Sequence, residues 1–257
     1  MDSIAKKGDG LIETVVQPTN YQVRLLSCRE VAERTMAFSF ERPAGFSFKA
    51  GQFIDLMLLD PPETDLEGNT RAFTIASAPS EDHLMVVTRL RDTAFKRVLT
   101  VLPLETTINL EGPFGNLTLP ERGERPLVFL AGGIGVTPFR SMLVQAAQEE
   151  LPRGLYLFYS NRRPEDAVFL EELQDLQQEN PNYTFIGTMT QMQKSRCPWE
   201  GNTGYLNMDL IGRALLGIAS PIYYVVGPPR MVRGLRTMLE TSGVRQADIR
   251  TEEFAGY

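Results

Sequence analysis

The sequence predicts two architectures in tandem, an antiparallel β-barrel over residues 17–122 followed by a parallel α/β sheet over residues 123–257. Three observations carry that expectation. Six short β-rich runs, "NYQVRLLSCREV", "TMAFSFERP", "GQFIDLMLL", "RAFTIAS", "LMVVTRL" and "TTINLEGPFG", follow one another with turn residues between them, the rhythm of an antiparallel barrel. The segment "PERGERP", Pro120 to Pro126, then breaks the pattern and reads as a linker. Beyond it the chain repeats an apolar run, a Gly or Pro turn and a helical period, which implies a parallel sheet with helices on both faces.

Each element has a local reason. In the first half, "LLDPPETDLEGNTR" is polar and rich in turn formers, so it is an excursion between two strands, and "RDTAFKRVL" is a short helix. In the second half the strands are "PLVFLAG", "GLYLFYSN", "YTFIGTMT", "IYYVVGPP" and a closing "DIRTEEF". The helices between them are "PFRSMLVQAAQEE", "VFLEELQDLQQE", "MDLIGRALL" and "RMVRGLRTMLETSG".

Composition narrows the function. With 257 residues, 42% of them hydrophobic, the chain can hold two cores. A net charge of −6 disfavours nucleic acid and anionic lipid, which reward basic surfaces. Cys28 and Cys197 have no cluster spacing, so neither a disulfide framework nor an iron–sulfur centre is expected, and no metal is. The one histidine, His83, reads as a turn residue. No run approaches the roughly 18 to 20 apolar residues of a membrane span, and "MDSIAKKGDG" lacks the apolar core of a signal peptide. The expectation is a cytoplasmic protein.

Two stretches carry chemistry. In "LVFLAGGIGVTPFRSML" a strand, a glycine turn and a helix follow directly. Gly132, Gly133 and Gly135 permit close backbone approach, Thr137 can cap the helix, and the helix start offers amides and a dipole end to a diphosphate. Pro138 replaces the third glycine of the dinucleotide fingerprint, and a merely tight strand–helix turn is the alternative. In "RAFTIAS" an extended strand puts Arg71, Phe73, Ile75 and Ser77 on one face and Thr74 on the other. Arg71 can fix a diphosphate, Phe73 can cover a flat ring and Thr74 can donate to a ring nitrogen, provided the strand bends; a half-buried strand is the bland reading. Downstream, the helix start at Thr93, Ala94, Phe95 and Lys96 can hold phosphate oxygens.

Taken together, "RAFTIAS", "GGIGVTP", "YYVVGPPRMV" and the aromatic end "EEFAGY" resemble the ferredoxin–NAD(P) reductase family of flavoproteins, over roughly residues 20–257. The resemblance implies a six-stranded barrel that binds FAD and an α/β half that binds NADH or NADPH. It assigns Arg71 to the FAD diphosphate, Phe73 to stacking on the isoalloxazine, Thr74 to its N5 edge, and Thr93 to Lys96 to a second diphosphate contact. Val87 to Arg89 would run along the flavin, Gly133, Gly135 and Thr137 would cradle the dinucleotide, and Gly227 and Pro228 would lie under its nicotinamide half. The aromatic cover is Phe254 or Tyr257, with Tyr257 favoured; a carboxylate at Glu252 or Glu253 would exchange protons, with Glu253 favoured.

Departures from the family pattern matter. Val226 stands where many members have a cysteine beside the hydride-transfer site. Thr190-Gln191 replaces a serine–arginine pair that reads the 2′-phosphate, although Arg162 matches an arginine used near it; the nucleotide stays open, leaning to NADH. Without a cysteine cluster, electrons must leave to a separate carrier. That carrier would be a ferredoxin or flavodoxin met by a basic patch of Arg89, Arg91, Lys96 and Arg97. The alternatives are a reductase of small acceptors such as free flavin, quinone or ferric chelate, and a low-turnover electron-transfer subunit.

Overall fold

The computed structural model describes residues 19–121 and 123–254. The antiparallel sheet comprises β1 (Thr19–Ala32), β2 (Thr35–Glu41), β3 (Phe53–Met57), β4 (Thr70–Thr74), β5 (His83–Arg89) and β6 (Thr107–Phe114), in the order β4-β3-β6-β1-β2-β5. Its two edges meet: Ala76 N donates to Met85 O at 2.7 Å, and Met85 N to Ser77 Oγ at 3.0 Å. His83 therefore opens a strand, β5, where a turn was expected. Alternation sends Leu25, Phe38, Phe40, Ile54, Leu56 and Leu110 inward, each fully buried. Helix α1 (Ala94–Val101) closes this core with Phe95, Val98 and Leu99.

The parallel sheet comprises β7 (Leu127–Gly132), β8 (Leu155–Asn161), β9 (Tyr183–Met189), β10 (Asn202–Thr203), β11 (Ile222–Gly227) and β12 (Ile249–Glu253), in the order β10-β9-β8-β7-β11-β12. Its connections carry α2 (Thr137–Gln148), α3 (Leu170–Glu179), α4 (Met208–Ala214) and α5 (Pro229–Thr241). Strand β7 is buried along its whole length because helices cover both faces, which is why "LVFLAG" reads as a continuous apolar run. Strands are added on one side of β7 through β8 to β10, then on the other through β11 and β12. That reversal leaves a crevice at the strands' carboxyl ends, where open α/β sheets bind ligands. Two sequence expectations shift: β10 was not anticipated, and α3 starts at Leu170 because Val168 and Phe169 are core residues, Phe169 with φ +58°.

The two sheets share a seam. Ala37, Ala50, Ala76, Met85 and Val87 from the first half belong to one apolar cluster with Phe129, Phe139, Met142 and Leu143 from the second. Across it Arg140 of α2, only 7% exposed, donates to Ala76 O at 2.9 Å and pairs with Glu81 at 2.7 Å and Glu172 at 2.6 Å. Its guanidinium also lies over the Phe169 ring. A continuous apolar seam with a buried ionic clamp holds the halves in one relative position, which any site spanning them requires. No helix among the described residues is long and apolar enough to cross a membrane.

Candidate functional site

Two clefts, each of about 510 Å³, open along this seam. The volume falls within the roughly 300–1,000 Å³ of small-molecule sites. The first lies between β4, β5 and α1 on one side and the glycine turn and the end of β12 on the other; Arg71, Thr74, Val87, Lys96 and Phe254 line it. The second lies at the carboxyl ends of β7, β8 and β11, lined by Gly133, Arg162, Tyr205, Pro228 and Arg230. Ile134 and Arg89 line both.

Arg71 lines the first cleft, and its donors are engaged by the excursion loop before β4. Nη1 donates to the carbonyls of Glu67 (2.8 Å), Gly68 (3.0 Å) and Thr70 (2.8 Å), and Nη2 to Glu67 Oε2 (2.9 Å), with Asp65 Oδ1 at 3.5 Å. Phe73 borders this cleft while most of its ring packs into the barrel: it is 8% exposed and lies against Phe95 with ring centroids 5.9 Å apart. β4 keeps regular register with β3 through Phe53↔Thr74, and the cleft runs along Arg71 to Thr74, so residues of both faces of the strand, Thr74 among them, border it.

The start of α1 also differs in detail. Thr93 caps it, accepting from Lys96 N at 3.4 Å, while the Ala94 amide donates to Asp65 Oδ2 at 2.8 Å. Ala94 and Phe95 are 1% exposed, so neither offers a side chain to a ligand. Lys96 turns inward, with Nζ donating to Arg89 O at 2.8 Å; burial, then Arg91 and Arg71, push its ammonium down to about 8. Arg89 itself donates to Asp166 O across the seam at 3.1 Å and keeps a buried, unpartnered Nε between the clefts. Arg97 pairs with Glu63 and Asp92. The expected basic patch therefore does not form: of its four members Arg91 alone is exposed without a carboxylate partner among the described residues.

The glycine turn is a 3-10 turn, Gly133–Val136, running into α2. Gly133 adopts φ +54° at the cleft floor with open space beside it. Gly135 is pressed against β11, where an added Cβ would lie 2.6 Å from Val226 O. Thr137 is not the cap expected: Val136 occupies that position, and the Thr137 hydroxyl, 2% exposed, donates back to Ile134 O at 3.0 Å. Gly227 ends β11 and is buried, leaving Pro228 to face the second cleft.

At the chain's aromatic end, Phe254 N donates to Gly227 O at 3.0 Å, which seats Phe254 at the first cleft. Tyr257 lies outside the described residues. Both glutamates border this cleft, on opposite faces of β12. Glu253 is held by Arg233 of α5 at 3.1 Å, whereas Glu252 is half-buried and burial pushes its carboxyl above the usual range. Glu252 is thus better placed than Glu253 to hold an exchangeable proton.

Sequence reasoning missed Tyr205 and Arg230 on the second cleft. Tyr205 is 80% exposed, an uncommon state for a tyrosine, and its position after Gly204 in a polar loop was the available signal. Arg162 and Arg230 have no carboxylate partner among the described residues, which makes this cleft cationic in a chain of net charge −6.

Adjoining clefts on a barrel and on the switch point of a doubly wound sheet define a two-sheet protein built to hold two ligands side by side. Residues 129–237 match the oxidoreductase NAD-binding domain family. The chain is 29% identical to ferredoxin–NADP reductase B of Sorangium cellulosum, over 93% of this chain and 100% of that one. It is 28% identical to the toluate 1,2-dioxygenase electron transfer component of Pseudomonas putida, over 93% of this chain and 69% of that one. It spans about 60% of the length of further oxygenase reductase subunits that it matches. Its fold matches the ferredoxin NADP+ reductase of Neisseria gonorrhoeae with a TM-score of 0.74, at 24% identity, covering 91% of this chain and 98% of that one. Residues 129–237 thus carry an oxidoreductase NAD-binding domain, the chain as a whole resembles the ferredoxin reductase-like FAD flavoproteins, and it is an oxidoreductase.

Proposed function

We propose that the chain is an FAD-dependent reductase that oxidises NADH or NADPH in the second cleft and passes single electrons from the first to a separate redox carrier. The observation that carries this reading is the common wall: Ile134 and Arg89 line both clefts, so their ligands are neighbours. The first cleft's residues fit a flavin nucleotide, with cations at Arg71, Arg91 and Lys96, a hydroxyl at Thr74 and an aromatic cover at Phe254. The buried, unpartnered Arg89 Nε adds an unused donor at the wall. When bound, FAD supplies two-electron exchange with nicotinamide and one-electron exchange with the carrier.

Each residue then has a task. Arg71 and the first amides of α1 hold the diphosphate, and Thr74 directs its hydroxyl at the ring edge. Phe254 excludes water from the ring face until nicotinamide displaces it. Gly133 lets the dinucleotide's phosphates approach the start of α2, while Arg162, Arg230 and Tyr205 receive its adenosine half. Glu252 holds the proton exchanged at the cleft. The Sorangium relative's name supports a ferredoxin as carrier, and the names of the oxygenase reductase relatives support a component of an oxygenase system.

Anaerobic titration tests the reading. The yellow holoprotein is expected to bleach with NADH or NADPH, and failure with both overturns it. Glu252→Gln is expected to keep full flavin content, lower turnover by roughly a hundredfold and remove one limb of the pH–rate profile. Glu253→Gln is expected to stay within about twofold of the parent, since its carboxylate serves Arg233. If Glu253→Gln proved the more damaging, Glu252 would not be the proton holder.

A further inference from the structure

The excursion between β3 and β4 places two carboxylates on the groups assigned above to the diphosphate. Asp65 accepts from the Ala94 amide through Oδ2 at 2.8 Å and faces Arg71 Nη2 through Oδ1 at 3.5 Å. Glu67 accepts from the same Nη2 at 2.9 Å, and the carbonyls of Glu67, Gly68 and Thr70 take Nη1. Both terminal nitrogens of Arg71 are thus turned onto one loop. A diphosphate presents anionic oxygens to the same donors, and like charges cannot share them at contact distance.

We propose that the Asp65–Glu67 segment is an internal anionic strap that competes with the diphosphate of the flavin nucleotide for Arg71 and the Ala94 amide, and swings aside as the nucleotide seats. The inference rests on the FAD reading above. The strap is held by charge and hydrogen bonds: Leu66 at its tip is fully exposed, so opening it uncovers little apolar surface there. One end is tethered to α1 by the Glu63–Arg97 pair at 2.6 Å, and the other passes through Gly68 at φ +74°, which gives the segment natural pivots. A strap closed most of the time lowers apparent affinity by the fraction of open molecules, without changing the contacts made once FAD is bound.

The test uses flavin-stripped protein and the quenching of FAD fluorescence on binding. Asp65→Asn combined with Glu67→Gln is expected to bind FAD roughly tenfold more tightly, chiefly through faster association. Asp65→Asn alone is expected to move the same way by less. Riboflavin, which lacks the phosphates, is expected to bind parent and variants alike. Equal or weaker FAD binding by both variants would overturn the strap and make the carboxylates orienting partners of Arg71. Equal gains for riboflavin and FAD would also overturn it, by placing the effect away from the diphosphate. Failure of FAD to bind parent and variants alike would bring down the strap and the functional reading together, a result distinct from the other two.

Discussion

Replacing Gly135 with valine is expected to raise the dissociation constant for NAD(P)H by about a hundredfold while leaving flavin content intact. The cause is backbone against backbone. A Cβ at Gly135 would stand 2.6 Å from Val226 O, 2.7 Å from Val226 C and 2.8 Å from Gly227 Cα. Strand β11 cannot retreat, because it is paired to β7 on one side and β12 on the other. The glycine turn must move instead, and it forms the floor of the second cleft. Misplacement of a positioning element by about 1 Å costs on the order of a hundredfold, and overpacking removes a further ~1–3 kcal/mol of stability. Ile134 and Thr137 beside the turn also line the first cleft, but its cations and the Thr74 hydroxyl come from β4, β5, α1 and the segment between them, so FAD retention is the internal control. Anaerobic nucleotide titration of the yellow variant measures the effect; affinity within threefold of the parent would refute this role for Gly135.

Arg140→Met is expected to be the most destabilising change of charge. Removing a cation that is 7% exposed leaves Glu81 and Glu172 facing an apolar seam. Breaking a buried pair by deleting one partner costs ~3–5 kcal/mol, and the low end applies here because solvent reaches Glu172. A loss of about 3 kcal/mol would lower the melting temperature by roughly 6–12 °C. The pH dependence follows from Glu81. Burial alone pushes its carboxyl up, but the hydrogen bond and charge of Arg140 outweigh that and hold it below the usual range. A depressed acid contributes stability that is present above its unfolded value, about 4.3, and is lost as pH falls through the folded value. In the variant the upward push of burial is opposed only by the Ala78 amide and His83, so the Glu81 carboxyl lies higher than in the parent and its protonation costs less stability. The stability gap between parent and variant is therefore expected to narrow on acidification from pH 7 to about 4, as read by thermal unfolding. A gap that stays constant over that range would exclude Glu81 as the responsible partner.

Legibility followed the range of the physics. The six barrel strands and the βα alternation were readable because burial of one face or two writes a period into the residues of a single segment. Strand β10 escaped because a two-residue pairing, Asn202–Thr203 beside Thr188–Met189, is too short to carry a period. How deeply Phe73 sits in the barrel was not legible, because its burial depends on Phe95, a partner from another element that the motif does not contain. The expected basic patch failed for a similar reason: charges adjacent in sequence found separate partners, Asp166 O for Arg89, Arg89 O for Lys96 and Glu63 for Arg97.

By itself the sequence determined the two architectures, the place of the glycine turn and the residue types on offer at both clefts, since these depend on local periodicity and backbone permissiveness. Only the tertiary structure decided which of the two glutamates bordering the cleft meets Arg233 and which stands free of it. It likewise decided that Arg140, on a helix that reads as ordinary, clamps the seam, and that Asp65 and Glu67 reach the donors of Arg71. The physical reason is common to all three. A side chain's charge and hydrogen-bonding capacity are properties of the residue, whereas its partner and its exposure are properties of the packing between distant segments.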